Sequence, residues 1–407
     1  MNAQAPMPSR VKGWCPGALR PMETGDGLIV RVRLTGGILS IQRARALANG
    51  ARRFGNGLID LSNRANLQLR GVTPATLPAI QTVLAELELL DADAESEAVR
   101  NIIASPLAGV DPTLMMDVVA ATTRLEDALR QARDLNALPG KFGFLIDGGG
   151  VLPLAGIETD LRFIAIAPGQ VRIEAGGFVL GTCDEAEIPA EAVRLARWFL
   201  AERHPDERRM AAFMARLGPG ESPAPGSRPR PTPEPVPLSL AAAPFGRLTA
   251  DQLEALAQIA ETAQVDLRLT PWRAIAIPAR IPASTIEATG LIAGLDDPLL
   301  RIAACPGAPA CRSGEAPTQV DARELAASLG PLLTEGVSLH VSGCPKGCAR
   351  QAVATVSLTA EAGRYALAFN ARAGDRRETQ PLVLADVAAM LRARLPALSP
   401  ISEPADV

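Results

Sequence analysis

A proline-rich segment splits this chain into two halves that repeat one another, and that duplication limits the possible folds more than any other feature. From Gly218 to Phe245, GPGESPAPGSRPRPTPEPVPLSLAAAPF, proline recurs almost every second residue, which suits a stiff, extended spacer. Before it the order is Gly37–Ser40, a helical segment, Ile59–Ser62, a short turn, then Leu67–Leu69. After it the order returns as Gly246–Thr249, a helical segment, Arg268–Thr270, a short turn, then Ile275–Ile277. Both helical segments carry apolar residues three or four apart: Ile41, Ala44, Leu47, Ala48 and Ala51 in one, Leu253, Leu256, Ile259 and Ala260 in the other. Thr249 with Gln252 fits a capping box, and Thr73-Pro74 reads as the cap and first turn of a further helix. The fold expected is α+β: a pseudo-twofold sheet domain formed jointly by the repeats, with one α/β segment after each. The expected units are 1–98, 99–217, a linker 218–244, 245–296 and 297–407.

Leu28–Arg33 alternates as a strand and sets Arg31 and Arg33 on one face; Gln68 and Arg70 likewise share a face of theirs. Most charged strand faces simply meet water. Four basic or amide side chains on neighbouring strands point instead to an anion-lined surface. The whole chain gives no such pull, since its formal net charge is only -3, so an anion site must be a local concentration of Arg and Lys. With nine Phe, three Trp and one Tyr, platforms for stacking bases are scarce, and nucleic acid is not an expected partner. No stretch approaches a membrane span and the start lacks a signal-peptide core, so a cytoplasmic protein without a membrane partner is expected.

Four of the six cysteines crowd into the last quarter: Cys305 and Cys311 with five residues between them, Cys344 and Cys348 with three. Zinc sites favour spacers of two to four residues, so the longer first arm fits zinc poorly. Four thiolates on Gly/Pro loops suit an iron–sulfur cube, whose sulfides accept backbone N–H bonds that Gly307, Gly343 and Gly347 leave room for. A zinc staple and four unrelated buried thiols remain the competing readings.

These cysteine spacings, the repeat, and the phrases LSNRANLQLRG (61–71) and LPGKF (138–142) resemble the sulfite and nitrite reductase superfamily, over nearly the whole chain. The resemblance implies a ferredoxin-like sheet domain with two α/β domains, and a 4Fe-4S cluster on Cys305, Cys311, Cys344 and Cys348, the last bridging to sirohaem where that is bound. It also implies that Arg31, Arg33, Arg64, Arg70, Arg100 and Lys141 hold an anionic substrate or macrocycle carboxylates, which guanidinium forks match well. One departure matters: the Lys-Phe-Lys of sulfite reductases is here Lys141-Phe142-Gly143.

The segments Gly13–Ala18 and Gly25–Leu28, with Ala304–Gly307, resemble the branch acting in cobalamin biosynthesis. That branch implies precorrin-3A and molecular oxygen as substrates, meso-carbon hydroxylation with lactone formation, and a mononuclear non-haem iron besides the cluster. Asp147-Gly148-Gly149-Gly150 is too isolated to be a nicotinamide fingerprint, so NADH-derived electrons are expected through a partner reductase or ferredoxin. For the mononuclear iron, His204 reads as an exposed helix-end residue and His340 as a core imidazole or one near the metals. Cys15 reads as packed or as approaching the site, and Cys183 as packed. The competing functions are a sirohaem-dependent sulfite or nitrite reductase and a non-enzymatic electron carrier. Duplication supplies an internal dimer, so a monomer is expected.

Overall fold

The computed structural model describes residues 15–218 and 236–397, so the proline-rich stretch 219–235 and the first residues of the Gly13–Ala18 motif lie outside the described residues. The two repeats fold into a pair of five-stranded sheets that exchange strands. Ile38–Leu39 from the first repeat pairs with Leu267–Leu269 of the second, while Arg247–Thr249 from the second pairs with Leu58–Leu61 of the first. Neither repeat closes its own sheet, so a single apolar core forms beneath both. Leu47 and Ala48 of the helix Ile41–Phe54 and Leu253 and Leu256 of the helix Ala250–Thr262 all lie in it.

The duplication extends to individual backbone angles. Gly36 and Phe245 have φ of 61° and 59°, Gly37 and Gly246 have 67° and 74°, and Ala65 and Arg273 have 51° and 59°. The capping box is present: the Thr249 side chain accepts from the Gln252 N–H, and Gln252 from the Thr249 N–H. At Thr73-Pro74 the expected cap is present: Thr73 Oγ1 accepts from the Thr76 N–H, the Thr73 carbonyl accepts from the Leu77 N–H at 2.9 Å, and the regular helix runs Leu77–Glu86.

Each repeat is followed by an α/β segment with the same start. Ile102–Ala104, Phe144–Asp147 and Leu161–Ala167 run parallel before antiparallel strands complete the sheet. Ile302–Ala304, Leu339–Ser342 and Ala354–Glu361 do the same, closed by antiparallel Arg364–Ala371. Ser105 and Cys305 therefore occupy matching positions just after the first strand. The Gly148 N–H donates to Ser105 Oγ at 2.9 Å, and the Gly343 N–H donates to Cys305 Sγ at 3.2 Å. One scaffold is built twice, and only the second copy carries the four clustered cysteines. No helix among the described residues is long and apolar enough to cross a membrane.

Candidate functional site

The cysteine loops leave the carboxyl ends of parallel strands, the usual place for ligand sites in α/β sheets. Cys305 follows the strand Ile302–Ala304, and Cys344 follows Leu339–Ser342. Their loops approach through glycine backbones. A Cβ on Gly314 would lie 2.6 Å from the Gly307 carbonyl carbon, and one on Gly343 would lie 3.2 Å from Gly314 Cα and 3.5 Å from Cys305 Sγ. Thr318, opening the helix Thr318–Leu329, donates to the Cys305 carbonyl at 2.6 Å and lies 3.6 Å from its sulfur. No two cysteines are disulfide-bonded: Cys305 and Cys344 are buried, Cys311 is half-buried and Cys348 is exposed.

The four thiols act on one another. Desolvation, then the Cys311 and Cys305 thiols, push the Cys344 thiol up against a lowering pull from Lys346. Cys348 is exposed at its edge, yet desolvation and then the other three thiols raise it as well. Among the described residues no three Cys, His, Asp or Glu side chains converge tightly enough for a single metal ion. The N–H to sulfur bond from Gly343 and the glycine-lined approach fit a 4Fe-4S group on these residues. The mononuclear iron finds no such fit. His204 is exposed beside Glu207, whose carboxylate accepts its backbone N–H, whereas His340 is buried in the strand Leu339–Ser342.

The basic residues separate into two groups. Arg31 is 9% exposed, and its Nε and Nη1 have no hydrogen-bond partner; its Nη2 makes only a long bond of 3.4 Å to Gln68. Arg33 lies 3.1 Å from Glu97 in a buried ion pair, but its Nε is unpartnered, and burial with the neighbouring Arg31 charge pulls it down to about 10. Glu97 also accepts from the Ala18 and Leu19 N–H groups, fastening the N-terminal arm beside these arginines. Arg64 donates to the Lys141 carbonyl at 2.7 Å and leaves Nη1 buried and unpartnered. Burial lowers its pKa, the Cys15 thiol opposes that, and Arg209 and Arg31 add to it. The Lys141 side chain is exposed. A Cβ on Gly143 would sit 3.8 Å from Arg64 Nη1, so the residue that replaces the second lysine leaves space beside an unsatisfied guanidinium.

Arg70 and Arg100 are engaged internally. Arg70 grips Asp26 and Asp60 at 2.6 and 2.9 Å, and Arg100 grips Asp91 and Glu126 at 2.8 and 3.1 Å. Burial opposes their charge, but these carboxylates hold both guanidiniums above the usual arginine value. Both are already paired with carboxylates, whereas Arg31, Arg33 and Arg64 present unsatisfied donors. Cys183 packs at the edge of the first α/β core.

A cross-strand row joins the arginines to the cysteine domain. Arg31 is opposite Gln68, Gln68 opposite Asp60, and Asp60 opposite Arg247. Arg247 binds Asp60 through Nε and Nη2, and its Nη1 donates to Gln319 at 2.9 Å on the helix that Thr318 opens. Sequence reasoning missed Arg209, Arg247, Arg268, Arg273 and Arg350. Arg247 and Arg268 had a signal, since each lies in a detected strand of the second repeat; Arg209, Arg273 and Arg350 lie outside those strands.

An exchanged-strand duplication with cysteine loops on its second half and unpaired arginines on its first defines a class of redox scaffold. A model of the nitrite/sulfite reductase ferredoxin-like half domain matches residues 20–87 and 241–284. A precorrin-3B synthase of Sinorhizobium sp is 31% identical, over 89% of this chain and 83% of that one. The ferredoxin–nitrite reductase of Synechococcus elongatus is 29% identical over 83% and 77%. The solved structure of the Mycobacterium tuberculosis NirA protein superposes with a TM-score of 0.70 at 20% identity, over 92% of this chain and 82% of that one. The chain belongs to the nitrite/sulfite reductase superfamily, in the branch of the precorrin-3B synthases.

Proposed function

We propose that this chain is an oxygen-dependent monooxygenase that converts precorrin-3A to precorrin-3B in aerobic cobalamin biosynthesis. The observation that carries the reading is the set of buried, unsatisfied guanidinium nitrogens on Arg31, Arg33 and Arg64, with Gly143 bringing no side chain against Arg64. A small anion such as sulfite fits a tight ring of cations. A macrocycle with several acetate and propionate arms fits separated guanidinium forks with room between them. The similarity to the Sinorhizobium precorrin-3B synthase supports the same substrate.

In this reading Arg31, Arg33 and Arg64 hold carboxylate arms and so fix which meso carbon faces the cysteine domain, and Lys141 adds a cation from the rim. Cys305, Cys311, Cys344 and Cys348 hold the 4Fe-4S cluster, which when bound supplies single electrons from a partner reductase or ferredoxin. Two electrons and two protons, with one dioxygen molecule, place one oxygen on the meso carbon and release the other as water. A ring acetate then adds to the neighbouring ring carbon, the double bond between the two carbons gives way, and the acid proton passes to the new hydroxyl, so that the lactone closes with no leaving group. Glu97 holds the arm Ala18–Leu19 against Arg33, which covers this side of the site.

Anaerobic incubation with precorrin-3A and a reductant, followed by a pulse of labelled oxygen, should give a product carrying one labelled atom by mass spectrometry. Unchanged precorrin-3A, with sulfite or nitrite reduced instead, would overturn the reading. Sharp macrocycle bands in the visible spectrum of the protein, made with sirohaem synthesis coexpressed, would favour the reductase alternative.

A further inference from the structure

We propose that Arg273 is a positioning residue for the cluster: it anchors the loop that carries Cys348 to the repeat core and places a buried positive charge behind it. This rests on the reading of the cysteine quartet as a cluster site. Arg273 Nη2 donates to the carbonyl of Ala349, the residue after Cys348, at 2.9 Å. Its backbone lies in the left-handed region at φ 59°, where a long side chain is disfavoured; its repeat equivalent is the small Ala65, at φ 51°. The strained conformation aims the side chain across Gly246, where a Cβ would meet Arg273 Cδ at 2.9 Å and the Leu61 carbonyl at 2.8 Å. Gly246 is therefore the opening through which the guanidinium reaches the cysteine loop.

The charge at the end of that path is poorly solvated. Burial lowers the Arg273 pKa, Asp60 opposes the shift and Arg350 adds to it. Arg350 belongs to the same loop, and its Nε donates to Val353. His340 lies against this pair, and its Cε1 is 3.4 Å from where a Gly347 Cβ would be. A fixed, desolvated cation beside a cluster favours the form that has gained an electron, because reduction adds negative charge in a medium of low dielectric. Arg273 thus raises the tendency of the cluster to accept electrons and holds the loop still while it does so.

The test is an EPR-monitored redox titration of anaerobically purified, cluster-loaded full-length protein, with iron and sulfide content measured on each sample. Arg273→Gln is expected to lower the equilibrium constant for reduction about tenfold, about 59 mV for a one-electron couple, whereas Arg273→Lys keeps it near the wild-type value. A fully loaded Arg273→Gln protein with an unshifted midpoint overturns the proposal. If Arg273→Gln holds no cluster, Arg273→Lys decides: a loaded protein with a near wild-type midpoint supports the charge requirement, and loss of the cluster from both reduces Arg273 to a folding residue. Wild-type protein that takes up no iron or sulfide overturns the cluster reading itself, before any variant is compared.

Discussion

Arg31→Met should make the substrate-free protein more stable and the substrate-bound protein weaker, a combination that only a binding residue produces. The guanidinium is almost fully buried and, among the described residues, faces no carboxylate within ion-pair distance and leaves Nε and Nη1 unsatisfied. Each unsatisfied buried donor costs about 1–3 kcal/mol. Against that, Met gives up only the 3.4 Å contact with Gln68, a weak bond at that length. Methionine fills most of the same volume and adapts to the irregular space left. The net gain is about 1–3 kcal/mol, which raises the melting temperature by roughly 2–4 °C per kcal/mol for a cooperative unit of about 150–250 residues. Binding responds oppositely. A charge-assisted bond to a carboxylate is worth about 1.5–3 kcal/mol, so the dissociation constant for precorrin-3A should rise about 10- to 100-fold. Thermal melts followed by circular dichroism, with and without ligand, and a fluorescence titration measure both effects. A variant that melts lower than wild type, or binds as tightly, would refute the reasoning.

Arg70→Met, a change of the same chemistry on the same sheet, should destabilise the protein by about 3 kcal/mol in urea unfolding. It strands Asp26, while Asp60 keeps its pair with Arg247, and the loss falls at the low end of the range for broken buried pairs because both carboxylates also keep some solvent. Gly314→Ala should abolish iron and sulfide binding while the repeat core stays folded, since its Cβ would meet the Gly307 backbone at 2.6 Å; Gly330→Ala, with nothing within 4 Å, should leave loading intact. His340 should make stability fall in acid. Burial, then Arg350 and Arg273, lower its pKa from 6.5 to about 4, so the unfolded chain binds the extra proton first. Stability is then complete above pH 6.5 and falls as pH drops toward 4, by about 3 kcal/mol in total. His340→Leu should flatten that part of the pH–stability curve.

The sequence made the duplication readable because a helix with a capping box between two short strands leaves a local pattern, and Thr249–Gln252 and Leu253–Ala260 follow it. The cysteine quartet was readable for the same reason: thiols in Gly/Pro loops are few and closely spaced. The strand exchange was not readable in detail. Nothing local to Ile38–Leu39 or Arg247–Thr249 says which half each will pair with, because that is settled by the shared core beneath them. Charge was the least legible property. Arg31 and Arg70 look alike as alternating strand residues, and only the positions of Asp26, Asp60 and Gln68 across the sheet decide that one is neutralised and the other left unsatisfied. Thr73-Pro74 was readable because a cap is local: Thr73 accepts from the Thr76 N–H through its side chain and from the Leu77 N–H through its carbonyl.

The asymmetry of the two copies bears on what the site can accept. Register equates Arg31 and Gln68 of the first repeat with Leu240 and Ala276 of the second, since each pair faces across the first two strands of its own sheet. Ser105 likewise stands where Cys305 stands in the second α/β segment, with the same N–H bond to its side chain. A symmetric ligand would have favoured like chemistry in both copies. The two halves instead supply an unsatisfied cation and an amide in one sheet, Leu240 and Ala276 at the matching positions of the other, and the cysteine quartet in only one α/β segment. A ligand that is charged along one edge, apolar along another and reached by electrons from one side uses each of these differences, and a small symmetric oxyanion uses few of them. That reasoning makes the second repeat open to test. Ala276→Arg would introduce a cation at the position matching Gln68, and if the face bears an apolar edge of the macrocycle it should weaken precorrin-3A binding despite the added positive charge. Tighter binding by that variant would show that charge alone governs the site, and that the apolar face has no part in selecting the ligand.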